Sequence, residues 1–159
     1  MAADVPPETL RITRTLDAPR EKVFRAWTRP EALTRWFAPT AKHVTRVPQL
    51  EVRVGGSYSI EMELDGRIYR VTGTFREIRF PDRLVFTWRW EIEPDHGDVG
   101  ETQVTIDLHE RGNGTELVLT HEGFPGPGPR EQHEQGWAGC LTGLDAFLET
   151  SSDALEESR

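Results

Sequence analysis

The stretch from Pro129 to Glu149, PREQHEQGWAGCLTGLDAFLE, decides how the rest of this 159-residue sequence is expected to fold. At about 100° per residue, its apolar side chains gather on one face about 120° wide, as expected of a helix that lies on a core. That face consists of His133, Trp137, Cys140, Leu141, Leu144, Phe147 and Leu148. Pro129 suits the first turn of a helix, and Glu131 and Glu134 near the start complement the helix dipole. We therefore predict a long amphipathic C-terminal helix.

Three glycines, Gly136, Gly139 and Gly143, cluster on one flank of this apolar face, next to Trp137. Each one destabilises a helix interior by about 1 kcal/mol relative to alanine. Two explanations are open. Either the backbone of another element approaches the helix closely at these positions, or space is left beside Trp137.

The middle of the sequence alternates apolar and polar residues, which is typical of β-strands with one buried face. The first such stretch is SYSIEMEL at 57–64, and the Asp65-Gly66 pair after it predicts a tight hairpin turn. The returning strand changes its apolar phase near Glu77, which predicts a β-bulge. Three more strands are expected from LVFTWRWE at 84–91, ETQVTIDLHE at 101–110 and TELVLTHE at 115–122.

The N-terminal part predicts one strand, TLRITRTL at 9–16, followed by two short helices. Asp17 is the expected N-cap of the first helix, with Pro19 just inside it. Pro30 opens the second helix, and Pro39 ends it. Residues 1–8 are expected to form a flexible tail, 93–100 an acidic loop and 151–159 a polar tail, which leaves a single domain at 9–150.

Segregated strands and helices indicate an α+β fold. One antiparallel sheet of about six or seven strands, strongly curved around the C-terminal helix, is the simplest way to bury every one-sided strand.

The composition is that of an ordinary globular domain, with 36% hydrophobic and 29% charged residues. The net charge of −8 argues against nucleic-acid binding, which needs a basic face. With Cys140 as the only cysteine, no internal disulfide can form.

The sequence shows neither an apolar run long enough for membrane insertion nor a signal peptide, so we expect a cytoplasmic protein. Lysine occurs only at Lys22 and Lys42 among many arginines, which hints at a GC-rich, bacterial source.

Four segments together resemble a known family. They are APREKVFRAWTRPEALTRWFAP at 18–39, GGSYSIEMELDGRIYRVTGTFREI at 55–78, FPDRLVFTWRW at 80–90 and QHEQGWAGCLTGLDAFL at 132–148. In this order they look like the AHSA1-like (activator of Hsp90 ATPase homologue 1-like) family of the START/Bet v 1-like, or SRPBCC, superfamily. The resemblance covers about Leu10 to Leu148. The sequence departs from the commonest pattern at Phe37, where many relatives carry a second tryptophan after Trp36.

The resemblance implies a helix-grip fold, in which a curved antiparallel sheet surrounds the C-terminal helix and two short helices close one end. It also implies an internal cavity for a hydrophobic or amphipathic small molecule. The Hsp90 activation of the eukaryotic namesakes depends on an extra domain, which we do not expect within 159 residues.

We predict that the cavity is lined by aromatic residues of the strands and by the apolar face of the long helix. The candidate ligand-binding residues are Trp36 (as a gate), Tyr58, Tyr69, Phe75, Phe86, Trp88, Trp90, His121, His133, Trp137 and Leu141. His121 and His133 stand on otherwise apolar faces. They are either interior histidines with satisfied hydrogen bonds, or anchors or proton donors for a ligand. The sequence contains no metal-ligand spacing, nucleotide-binding motif or nucleophile motif, so no metal, cofactor or catalytic residue is predicted.

Three functions are compatible with these patterns. The leading hypothesis is non-covalent binding of a hydrophobic small molecule. The second is a cyclase-like or hydrolase-like enzyme that uses His121 or His133 as acid and base. The third is an interaction module with a protein partner, such as a chaperone accessory or the partner of a stress regulator. A homodimer is compatible with all three.

Overall fold

A computed structural model describes residues 8–92 and 99–150 of the chain. Its elements are, in order, β1 (Thr9–Leu16), α1 (Arg20–Thr28), α2 (Pro30–Trp36), β2 (Val44–Leu50), β3 (Ser57–Leu64), β4 (Arg67–Arg79), β5 (Arg83–Ile92), β6 (Thr102–Arg111), β7 (Gly114–Glu122) and α3 (Pro127–Thr150). The predicted tails, apart from Glu8, and residues 93–98 of the predicted acidic loop lie outside the described residues.

The seven strands form one sheet in the order β1-β7-β6-β5-β4-β3-β2, and every neighbouring pair is antiparallel. This sheet is curved around α3, as the sequence predicted for an α+β helix-grip fold. Its chain order is a simple meander from β2 to β7, with β1 added beside β7.

The edge strand β2 was not predicted, because its sequence, VTRVPQL, contains a proline and no clean alternation. Proline cannot donate a ladder hydrogen bond, so an edge strand is one of the few places in a sheet where it is found. Pro48 lies where the register of β2 against β3 shifts, between Arg46 and Gln49.

The predicted hairpin turn and the predicted bulge are confirmed. Asp65 and Gly66 both have positive φ, 53° and 81°, as a two-residue type I′ turn requires. The register of β4 against β5 shifts between Phe75 and Glu77, next to the expected position. A second shift between Arg70 and Val71 was not foreseen.

The predicted start of α1 is wrong by a few residues. The N-cap position is held by Pro19, in an extended conformation and without a side-chain capping bond, so Asp17 does not cap this helix. The carbonyl oxygen of Pro19 instead accepts the first helical hydrogen bonds, from the backbone N–H groups of Lys22 and Val23. The predicted start of α2 at Pro30 is confirmed.

Helix α3 begins at Pro127, two residues before the predicted Pro129, so its first turn holds no acidic residue. The expectation that Glu131 and Glu134 lie near the start of the helix and complement its dipole is therefore wrong. The other end of α3 has a partner that the sequence did not suggest. The ammonium of Lys22, a residue only 4% exposed, donates to the backbone carbonyl of Leu148 at 2.5 Å, where a positive charge interacts favourably with the negative end of the helix dipole.

The whole predicted apolar face of α3 is buried, from His133 to Leu148. It joins the inner face of the sheet and the buried faces of α1 and α2 in one continuous hydrophobic core. Among the described residues, no helix is long and apolar enough to span a membrane.

Candidate ligand-binding cavity

A cavity of about 420 Å³ lies between the first half of α3 and the sheet; we call it the outer cavity. Strands β3, β4 and β5 contribute one wall, the loop between α2 and β2 contributes a second, and α3 contributes the third. The lining residues are Phe37, Pro39, Thr40, His43, Met62, Tyr69, Trp88, Trp90, Gln132, His133, Gln135, Gly136, Trp137 and Cys140.

The walls are apolar, and part of the rim is polar. Met62, Trp88 and Trp137 are each 5% exposed or less, whereas Gln132 and Gln135 on the first half of α3 are exposed. The side chains of Gln132 and Gln135 make no hydrogen bond within the described part of the chain, so their amides are available at the rim.

The three glycines near Trp137 explain how α3 can approach α2 and the loop after it closely at some positions and leave space at another. A Cβ atom at Gly139 would lie 2.0 Å from the carbonyl oxygen of Pro39, and one at Gly143 would lie 2.8 Å from that of Trp36. At Gly136 a Cβ atom would meet nothing within 4 Å. Both sequence explanations therefore hold, close backbone approach at two glycines and free space at the third.

The eleven predicted site residues fall into three groups. Tyr69, Trp88, Trp90, His133 and Trp137 line the outer cavity. A second space of about 20 Å³, which we call the inner void, is lined by Tyr58, Phe75 and Phe86, together with Trp88. Trp36, His121 and Leu141 line neither space and are buried in the core.

The imidazole of His133 is held by two hydrogen bonds at the cavity wall. Its Nε2 accepts from the indole Nε1 of Trp90 at 2.8 Å, and its Nδ1 lies 2.8 Å from the carbonyl oxygen of Pro129. Because a carbonyl can only accept, Nδ1 carries the proton and the ring is neutral. His133 thereby joins α3 to β5 at the wall of the outer cavity.

The imidazole of His121 is fully buried behind Trp137. Its Nδ1 accepts from the indole Nε1 of Trp137 at 3.0 Å, and its Nε2 is 2.7 Å from Oγ1 of Thr102. That hydroxyl donates its own hydrogen to the carbonyl of Trp88, so Nε2 of His121 is the donor in the contact with Thr102. Burial, together with the nearby His133, holds the pKa of His121 well below its ordinary value.

Two other titratable groups near the cavity are kept neutral. Burial raises the pKa of the Cys140 thiol to about 12, although a hydrogen bond with the backbone of Ala38 lowers it in part. Since the thiolate is the reactive form, Cys140 lines the cavity as an unreactive apolar side chain at neutral pH. Burial also raises the pKa of Tyr58, whose hydroxyl donates to the carbonyl of Thr87.

Two buried indoles, those of Trp27 and Trp88, have N–H groups without an acceptor among the described residues. Both tryptophans line the inner void. Within the described ranges, no group of three His, Cys, Asp or Glu side chains is placed to hold a metal ion.

Sequence reasoning missed nine of the lining residues, namely Phe37, Pro39, Thr40, His43, Met62, Gln132, Gln135, Gly136 and Cys140. A signal existed for those on α3, because Gln132, Gly136 and Cys140 are spaced one helical turn apart and Cys140 itself belongs to the predicted apolar face. No periodic signal existed for Pro39, Thr40 and His43, which lie in a loop whose path depends on the tertiary fold.

A curved antiparallel sheet that grips a long C-terminal helix over an internal cavity defines the class of helix-grip, START/Bet v 1-like proteins. Within this class, the chain belongs to the family described as Activator of Hsp90 ATPase homolog 1-like protein, whose model matches residues 17–149. The family that the sequence resembled is thereby confirmed.

Solved structures agree with this assignment. A protein from Chromobacterium violaceum has 34% sequence identity and a TM-score of 0.81, over 90% of this chain and 98% of that one. A protein from Arthrobacter aurescens has 25% identity and a TM-score of 0.80, over 92% of this chain and 88% of that one. The AHSA1 protein from Silicibacter pomeroyi has 26% identity and a TM-score of 0.75, over 89% and 97% of the two chains. No protein with curated annotation matches this chain.

Proposed function

We propose that this protein binds a hydrophobic or amphipathic small molecule, without covalent chemistry, in the outer cavity. The observation that carries the proposal is a cavity of about 420 Å³ that combines apolar walls with a polar rim. Pockets for small ligands occupy about 300–1,000 Å³ and are mostly apolar, with a few polar groups that orient the ligand.

The residues that would contact the ligand follow from their positions. Tyr69, Trp88, Trp90 and Trp137 offer aromatic surface, and the amides of Gln132 and Gln135 could hydrogen-bond to a polar end at the rim. The remaining predicted residues would act indirectly. Trp36, His121 and Leu141 pack behind the walls, whereas Tyr58, Phe75 and Phe86 lie around the inner void.

The experiment uses the free space at Gly136. A leucine there should project a side chain into the outer cavity, whereas an alanine should add only a methyl group. Both changes replace a glycine inside the helix, and this replacement by itself stabilises the helix by about 1 kcal/mol. We expect Gly136→Leu to weaken binding of 1-anilinonaphthalene-8-sulfonate by roughly tenfold or more, the equivalent of about 1.4 kcal/mol of lost contact.

The binding is measured by fluorescence titration, and Gly136→Ala is the matched control that keeps the cavity. Thermal unfolding of both variants shows whether the fold is intact. The proposal is overturned if the unmodified protein takes up no probe, or if Gly136→Leu binds the probe as tightly as Gly136→Ala does.

The two other functions that the sequence left open have less support. An acid–base enzyme needs an imidazole free to exchange a proton, whereas each ring nitrogen of His121 and His133 already has a partner within the protein. An interaction module acting on a chaperone rests on the family description and on the net charge of −8.

A further inference from the structure

The outer cavity and the inner void are neighbours, and two side chains line both of them. These are Phe37, at the end of α2, and Trp88, on β5. Their ring centroids are 6.2 Å apart and the rings are inclined by 39°. We call this pair the aromatic partition, because only these two residues belong to both linings.

Both halves of the aromatic partition pack against Trp137. Trp88 packs against Trp137 with a centroid distance of 4.9 Å, in the centre of the aromatic core. Phe37 lies just after the last residue of α2, and its carbonyl accepts a hydrogen bond from Oγ1 of Thr45 at 2.7 Å. The ring of Phe37 also packs against Trp137, at a centroid distance of 5.7 Å. Because the bond from Thr45 holds the backbone, a smaller side chain at this position leaves the chain anchored.

The space behind the partition is apolar but incompletely filled. The inner void is lined by Trp27, Leu33, Phe37, Leu50, Tyr58, Ile60, Phe75, Leu84, Phe86 and Trp88. Its volume of about 20 Å³ is close to that of a single water molecule. A void of this size is too small for a ligand chain, and the ring of Phe37 lies between it and the outer cavity, so a smaller side chain at this position should join the two spaces.

We propose that the aromatic partition sets the depth to which an elongated apolar ligand enters, and that Phe37 is the residue that limits ligand length. This inference rests on the proposed binding function and adds its selectivity. Ligands that fit the outer cavity bind, and longer chains gain nothing because the ring of Phe37 stops them.

The test is a series of linear primary alcohols of increasing length that displace 1-anilinonaphthalene-8-sulfonate. Each buried methylene should tighten binding about fourfold. For the unmodified protein we expect this gain to stop at the chain length that fills the outer cavity. In Phe37→Ala the gain should continue for several further methylenes, since the chain can then enter the inner void.

The control is Phe147→Ala, which removes an equally buried ring at the far end of α3, away from both spaces. Phe37→Leu is measured as well, in case Phe37→Ala does not fold, and should extend the limit by a smaller amount. A length limit that is the same in the unmodified protein and both Phe37 variants overturns the inference while leaving the binding function intact. An equal shift in Phe147→Ala overturns it too. If the unmodified protein does not bind the probe at all, both proposals fail together.

Discussion

At the scale of single residues, the five tryptophans have clearly different roles. The indole Nε1 of Trp36 donates to the carbonyl of Ala26 at 2.9 Å. In a continuous helix that carbonyl would accept from the residue four positions later, but that residue is Pro30, which has no N–H. Trp36 therefore supplies the donor that is missing where α1 ends and α2 begins.

Trp27 provides a matched comparison, since it is equally buried and its Nε1 has no acceptor in the described structure. Replacing either residue by phenylalanine removes a similar volume, but only Trp36→Phe leaves a buried carbonyl without its donor. We expect Trp36→Phe to lower the free energy of unfolding by about 1–2 kcal/mol more than Trp27→Phe does. Denaturant unfolding of the two variants measures the difference, and equal losses would show that the bond to Ala26 contributes nothing.

At the scale of secondary-structure elements, α3 combines tight packing and free space along one flank. At Gly139 the backbone of Pro39 occupies the place of a Cβ atom, whereas the helix stands clear of its surroundings at Gly136. The same substitution should therefore have opposite effects only a few residues apart.

We expect Gly139→Ala to lower the melting temperature, because a Cβ atom 2.0 Å from a backbone oxygen forces α3 away from the loop after α2. Gly136→Ala should raise the melting temperature, because it restricts the unfolded chain and meets no neighbour. Thermal unfolding followed by circular dichroism compares the two. A stabilised Gly139→Ala variant would mean that α3 packs less closely on Pro39 than this structure shows.

The same element shows how far sequence patterns reach. The buried face of α3 was predictable because it repeats with the helical period, and β3 to β7 were predictable because their apolar residues alternate. Strand β2 has no such repeat, and the loop that carries Pro39, Thr40 and His43 has none either. Both are positioned by contacts with distant parts of the chain, so a large share of the cavity wall could not be predicted.

The same cause explains why the predicted site residues are divided between two spaces and the core. The alternation placed Tyr58, Phe86 and Trp88 correctly on the inner face of the sheet. It could not show that Phe37 would lie beside Trp88, between the outer cavity and the inner void that Tyr58 and Phe86 line, since that depends on how α2 packs on the sheet. A residue pattern reports which face is buried, whereas the division of the interior into two spaces is set by tertiary packing.

At the scale of the whole molecule, His121 joins three elements that are far apart in the sequence. It stands on β7, hydrogen-bonds to Thr102 at the start of β6, and accepts from Trp137 on α3. Its surroundings are Trp88, Phe124 and Trp137, with His133 at a ring distance of 5.4 Å. Protonation would put a charge into this apolar junction and remove the acceptor of the Trp137 indole.

The stability of the molecule should therefore depend on pH through His121. Its pKa is lowered in the folded state, so the unfolded chain binds the proton more readily. The stabilisation by neutral His121 is complete above the unfolded pKa of about 6.5 and is lost as the pH falls below it, by up to about 1.4 kcal/mol per pH unit.

We expect His121→Gln to be less stable at neutral pH and to show a weaker loss of stability between pH 7 and 5. His109→Gln, at an exposed position on β6, is the control and should retain the slope of the unmodified protein. Denaturant unfolding across this pH range decides the matter, because an unchanged slope in His121→Gln would assign the acid sensitivity to other groups.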